Sequence, residues 1–408
     1  MTLASLARTT YRSVFASAGY PALFVSASFS ILGLSFQILV FSVTVFATTG
    51  SPAAASLAFA AGFLPQVLGG ILLPSLADRI PPKALLIAGA LMRSLVALIL
   101  AVGGLGIVGS VCVIAAAALV SPLFSAAESG LVARILDGDR YVLGRSLFVI
   151  TGMIVQLLGI ALGGVALQFL TAQQAFLILS ALHVAGALVC LAGVPRLGAA
   201  AAEPGRWRIG DTLRGYRALL SVPLIRALLL LWWVPLSLLV GAESLVVAYA
   251  GQAGAGAATT AVLIGAIPLG ALIGEVLVGR LCPPAARERL VFPLLALLGV
   301  GLVAFAFGPP PLVAALVLSV ASIGLAFALG RQDVFRAALP ADRVGVGFGL
   351  LGVGMMTGQG VGPVVAGPLA SIVGVGPTIA ICGALILVAG ALCFGPVQRI
   401  RWRAAERP

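Results

Sequence analysis

Long apolar runs, each broken by a short polar turn, dominate this chain, and the turn LPSLADRIPPKALL at residues 73 to 86 shows what they require. It sets Asp78, Arg79 and Lys83 between two runs of at least about 20 residues, the length at which a helix crosses a bilayer. Pro81 and Pro82 forbid one continuous helix, so the chain must turn there. The charges then lie in water or among headgroups. The same device returns about 200 residues later as VGRLCPPAARERL, with Arg280, Pro283, Pro284, Arg287 and Arg289. Breaks of this kind predict twelve spans, at about 21–48, 53–77, 84–106, 109–134, 142–169, 173–194, 224–250, 258–281, 287–308, 311–337, 344–372 and 376–397. The expected fold is therefore an all-α integral membrane protein.

The chain is 61% hydrophobic and 9% charged, where a soluble domain needs about a quarter of its residues charged. The formal charge of +12 does not point to nucleic acid, because the bases sit at one set of span ends. The turns near 80, 140, 285 and 340, the central loop and both termini hold almost all of them. The opposite turns, near 50, 107, 171, 254, 309 and 374, hold none. Bases collect on the cytoplasmic side, which predicts a cytoplasmic-membrane protein with both termini cytoplasmic. Arg8 and Arg12 precede the run from about Leu23, which is too long for a signal peptide and reads as a retained first span. Cys112, Cys190, Cys282, Cys382 and Cys393 show no metal spacing and read as small buried hydrophobes. One histidine, His183, excludes a His-based metal cluster, and no cofactor is implied.

Composition shifts between 195 and 223. The first part reads as a linker. From Asp211, Leu213, Tyr216, Leu219 and Leu220 alternate with Arg214 and Arg217 at helical spacing, which suits a helix lying on the membrane surface. The chain thus reads as a six-helix half over 1–194, a cytoplasmic linker over 195–223, and a second half with a basic tail over 224–408. A shift of 203 residues relates the halves. Asp139-Arg140 falls on Asp342-Arg343, Met153 on Met356, Gln156 on Gln359, Gly159 on Gly362 and Gly164 on Gly367. Two pseudo-symmetric six-helix halves with a path between them make a transporter architecture.

LADRIPPK resembles the loop between spans two and three of the major facilitator superfamily, roughly G-x-x-x-D-R-x-G-R-R/K, with Asp78, Arg79 and Lys83 matching. QLLGIALGG resembles its antiporter signature G-x-x-x-G-P-x-x-G-G through Gly159, Gly163 and Gly164, with Ile160 in the proline's place. Gly358, Gly362, Pro363 and Gly367 form a second copy with the proline intact. TTGSPAAASLAFAAGFLPQVLGG is similar to the first two spans of macrolide-efflux exporters in that superfamily. The fourth-span Arg-x-x-x-Gly signature of many proton-coupled exporters is absent. The resemblance implies alternating access and a central cavity lined by spans one, four, seven and ten.

On that frame a few polar residues stand out, since a charge inside lipid costs about 2.5–3.5 kcal/mol on insertion scales. Glu128 falls on Arg331 under the shift. An acid and a base facing each other across the cavity would form a proton-coupling device; the plainer alternative is a static salt bridge to Arg134 or Arg145. Glu243 has no base within a helical turn, and is either a second proton-coupling acid or an interfacial one. Gln37, flanked by Phe36 and Phe41, and the pair Trp232 and Trp233 are candidate cavity residues, against helix packing and interface anchoring. Asp333 and Arg336 read as a structural network with Arg331, and Glu275 as a partner of Arg280 or of a neighbouring helix. His183 reads as a satisfied structural group, while Arg93 either snorkels or pairs with an acid. Asp78, Arg79, Lys83 and Arg280 are gate residues. An anion at the positive start of span eleven, near Val344, gains roughly 0.3–1 kcal/mol. Gly159, Gly163, Gly354, Gly358 and Gly362 are packing seams.

The expected activity is proton-coupled export of a hydrophobic or cationic small molecule, such as a drug or natural product, by a monomer. The alternative is a facilitator or proton symporter importing a metabolite. Enzyme chemistry finds no constellation of His, Asp or Ser, and no G-x-x-x-x-G-K-[ST] motif occurs to bind ATP.

Overall fold

The computed structural model describes residues 10–73, 76, 79–198, 209–340 and 343–405. Among these, twelve helices are long and apolar enough to cross a membrane. In chain order they are Tyr20–Thr49, Pro52–Leu72, Pro82–Val102, Gly106–Ile135, Gly138–Phe169 and Ala172–Gly193, then Pro223–Gln252, Ala257–Leu281, Ala286–Phe307, Pro311–Ala338, Val344–Val373 and Val375–Cys393. We number them spans one to twelve. Their ends fall on the turns that proline, glycine and charge mark in the sequence. Ser51 caps span two through its side chain, and Thr171 forms a capping box with Gln174 at the start of span six.

The halves pack alike. Span one lies against five and six, two against four, and three against four and six. Span seven lies against eleven and twelve, eight against ten, and nine against ten and twelve, the same pattern moved on by six spans. Span two meets eleven and span five meets eight across the halves. Glycines related by the 203-residue shift meet their neighbours in like fashion. Gly159 lies against the Leu32 carbonyl of span one, and Gly362 against the Ser237 carbonyl of span seven. Gly164 meets Ala257 and Ala261 of the other half, while Gly367 meets Ala53 and Ser56. A side chain at any of these positions would push backbones apart.

Several helices are interrupted. Span two breaks at Gly62 and Phe63, ahead of Pro65, which has no N–H to continue the ladder. Span seven breaks at Leu245. Span eight ends in π-helix over Leu277–Leu281, and span ten runs as 3₁₀-helix over Ile323–Arg331. Runs of 3₁₀ beyond a few residues are uncommon. Here the tight pitch brings Gly324 under the Leu294 carbonyl and Gly330 under that of Arg287, both in span nine.

The amphipathic segment forms helix Ile209–Leu220 but does not simply lie on a surface. Leu219 is buried in the second half's core and Gly215 faces Val346 of span eleven. Leu213 is strongly exposed.

Candidate functional site

The break in span two shapes a cleft. Its freed Gly62 carbonyl accepts a 2.6 Å hydrogen bond from Gln66 Nε2. Phe59 and Phe63, one helical turn apart, stack with centroids 5.3 Å apart. Across from them stand Gln37, Phe41 and Ser42 of span one, with Ile114 of span four closing the side. The space enclosed is about 40 Å³, close to one water's share of liquid volume. Its lining is aromatic faces, aliphatic carbon and amides, with no charged side chain. Of the candidates read from the sequence, Gln37 and Phe41 line this cleft. Gln66, Phe59 and Phe63 were not anticipated, although a proline two residues after an aromatic in mid-span was a usable signal. Phe36 turns away, against Gly163.

The base-free ends of the halves meet around span seven's break. Ser244 Oγ donates to Ser56 Oγ at 3.1 Å, and Gly241 approaches the Gly362 carbonyl. Gly251 lies against the Phe46 ring of span one. Glu243, half-buried, sits beside this junction, and no charge among the described residues acts on it.

Glu128 and Arg331 are not each other's partner here. The charge acting on Glu128 is Arg93 of span three, whose guanidinium lies 5.8 Å from the centre of the Phe124 ring, one turn before Glu128. Cys190 of span six lies near the same carboxyl. Arg331 is 3% exposed, its two terminal nitrogens have no hydrogen-bond partner among the described residues, and Cys393 of span twelve lies nearby. Cys190 and Cys393 are themselves 203 residues apart, so each half repeats one arrangement around a buried charge. The repeat stops at the counter-charge: Ala296 stands where the first half has Arg93. Arg331 therefore packs into its own half instead of lining an open cavity. Arg134 and Arg145 bind elsewhere, to the Gly198 carbonyl and the Tyr141 hydroxyl.

The tryptophans are also packing residues. Trp233 Nε1 donates to the Leu351 carbonyl at 3.1 Å with its ring on Gly354, and Trp232 stands edge-on to Phe335. Gly358 lies against Ser237 in the same seam. Of the gate residues, Asp78 lies outside the described residues, and Arg79 and Arg280 are exposed. Lys83 Nζ donates to the Leu191 and Val194 carbonyls at 2.8 and 2.6 Å, tying span three to the end of span six. Arg287, which the sequence marked only as a turn base, does the same for span eight through the Cys282 and Gly279 carbonyls. His183 is 1% exposed against Gly33, and its Nδ1 has no partner among the described residues, where the sequence predicted a fully satisfied group.

Residues 23–332 match the sequence model of the Major Facilitator Superfamily. No curated protein matches the chain in sequence. Among solved structures, the chain is similar to a POT family transporter in complex with a thioalcohol-conjugated peptide, at 13% identity and TM-score 0.72, covering 93% of this chain and 96% of that one. The nucleoside transporter NupG superposes at 16% identity and TM-score 0.72, covering 92% and 99%. The human organic anion transporter MFSD10 does so at 16% identity and TM-score 0.67, covering 94% and 100%.

Proposed function

The chain belongs to the major facilitator superfamily, and from that premise we propose that it exports a hydrophobic or cationic small molecule in exchange for protons, in the manner of the macrolide-efflux type. That it is a multi-pass membrane transporter and not an enzyme follows from the family and fold. The substrate class rests on one observation, the lining of the cleft between spans one, two and four, whose volume of about 40 Å³ in this state must widen as the halves rock before it admits a drug-sized molecule. Phe41, Phe59 and Phe63 offer ring faces, which attract cations and apolar groups alike, and Gln37 and Gln66 offer amides. A polar metabolite would need more hydrogen-bonding groups than this lining holds.

Coupling is assigned to Glu243 and Glu128. Glu243 adjoins the Ser56–Ser244 junction without a counter-charge, so a proton there changes the charge at the gate. Glu128 exchanges Arg93 for a proton. With the base-rich side cytoplasmic, the Ser56–Ser244 junction closes the outer side in this state. Rocking of the halves about spans two, five, eight and eleven supplies alternating access.

The test is proton release from acid-loaded proteoliposomes, read with an internal pH dye, as lipophilic cations and macrolide-like compounds are added. Release that requires both compound and protein supports antiport. Compound equilibration without proton movement would replace it with facilitated passage.

A further inference from the structure

Spans five, eight and ten enclose a groove of about 750 Å³ on the seam between the halves. Its lining is aliphatic or glycine except for Ser319, whose hydroxyl is already spent on the Ala266 carbonyl at 3.2 Å. No charged or free polar side chain is left in it to hold a headgroup or a cationic compound. The lining stretches, from Ile154 to Val165 in span five, Ala258 to Leu272 in span eight and Leu312 to Ser319 in span ten, lie almost wholly in the base-free half of each span. Along span five the groove runs twelve residues, about 16 Å of helix from the first to the last. One leaflet of hydrocarbon is about 15 Å deep.

The groove has a sequence cause. At the pseudo-equivalent seam between spans two and eleven, Gly360 lets Leu64 approach to 2.7 Å of where a Cβ would stand. Under the 203 shift the residue in Gly360's place is Leu157. It stands in the groove wall with Gly265 and Leu269 of span eight. A leucine where the other seam has glycine props the helices apart. Gly265, facing Leu157 and Ile160, has nothing nearer than 3.8 Å to an added Cβ.

We propose that this groove binds one acyl chain of a phospholipid from the base-free leaflet, and that the chain completes the seam between spans five and eight. Location, depth, length and lining all fit a lipid tail, which is the apolar ligand present wherever the protein is. The seam moves when the halves rock, so the bound chain favours the state in which the base-free side is closed.

The experiment places the full-length protein in nanodiscs of phosphatidylglycerol bearing a photoreactive diazirine in one chain. Labelled peptides are then mapped by mass spectrometry. The expected result is label concentrated on 154–165 and 258–272 over other lipid-facing stretches such as that around Leu188. It should fall severalfold in Gly265→Phe, which fills the groove, and in Val262→Phe, which narrows it from its exposed wall. Melting curves for both variants identify any that fail to fold. Label spread evenly over all lipid-facing stretches, or unchanged in a folded variant, overturns the site. Label displaced by a transported compound overturns the acyl-chain assignment and makes the groove a cargo site.

Discussion

Ser244 Oγ donates a 3.1 Å hydrogen bond to Ser56 Oγ, joining residues 188 positions apart in opposite halves of the molecule. Interhelical hydrogen bonds in membranes contribute about 0.6–2 kcal/mol. Ser56→Ala should therefore shift the equilibrium away from the base-free-closed state by roughly threefold or more. Spin labels at Thr48 and Ala253, near the base-free ends of spans one and seven, measure this directly. An unchanged distance distribution would show that the contact is incidental.

Glu243→Gln removes the ionisable group beside that junction while keeping its shape. The protein should remain folded in the membrane and still bind compound, yet lose compound-dependent proton release by about a hundredfold or more, the usual scale of a lost essential proton-transfer group. A variant that exports at the normal rate against a proton gradient takes Glu243 out of the coupling scheme.

Arg93 and Glu128 should behave as a unit. Arg93→Gln leaves an acid in hydrocarbon without its counter-charge, at about 2.5–3.5 kcal/mol on insertion scales. Adding Glu128→Gln should return much of that loss. Melting of the two single variants and the double variant gives the coupling free energy, and strictly additive losses would mean that the two side chains are independent.

The glycine seams should tolerate no side chain. Gly159→Val and Gly362→Val place a Cβ on the Leu32 and Ser237 carbonyls. Each should lower stability by about 1–3 kcal/mol, the cost of overpacking, and by similar amounts because the sites are equivalent. Folded yield in membranes and melting temperature decide it. Gly265→Phe on an open wall serves as the tolerant control.

Much of this was legible in the sequence, because lipid leaves few choices. Proline pairs and charged turns mark span ends, and glycine rows mark seams, as the matched contacts of Gly159 and Gly362 show. What escaped was the identity of partners. The shift that pairs Glu128 with Arg331 relates equivalent positions, and equivalent positions of two packed bundles need not face each other. Arg93 is 35 residues from Glu128, in the neighbouring span, and nothing in a linear reading reports which faces of two apolar helices meet. The breaks in spans two and seven escaped for a similar reason: Pro65 predicts a disturbance, but its place in the cleft depends on Gln66 folding back to Gly62. The tryptophans misled because an aromatic ring suits a ligand, a glycine and a membrane interface equally.

The nine-residue 3₁₀ stretch of span ten also bears on bilayer thickness. At about 2.0 Å per residue it covers about 18 Å, where α-helical pitch would cover about 13.5 Å. Rewinding it would shorten the span by about 4.5 Å and draw Arg331 toward the membrane's middle. Helices of fixed pitch meet a thicker or thinner bilayer by tilting or by deforming the lipid around them. Span ten holds its adjustment inside its own thread, as a screw does.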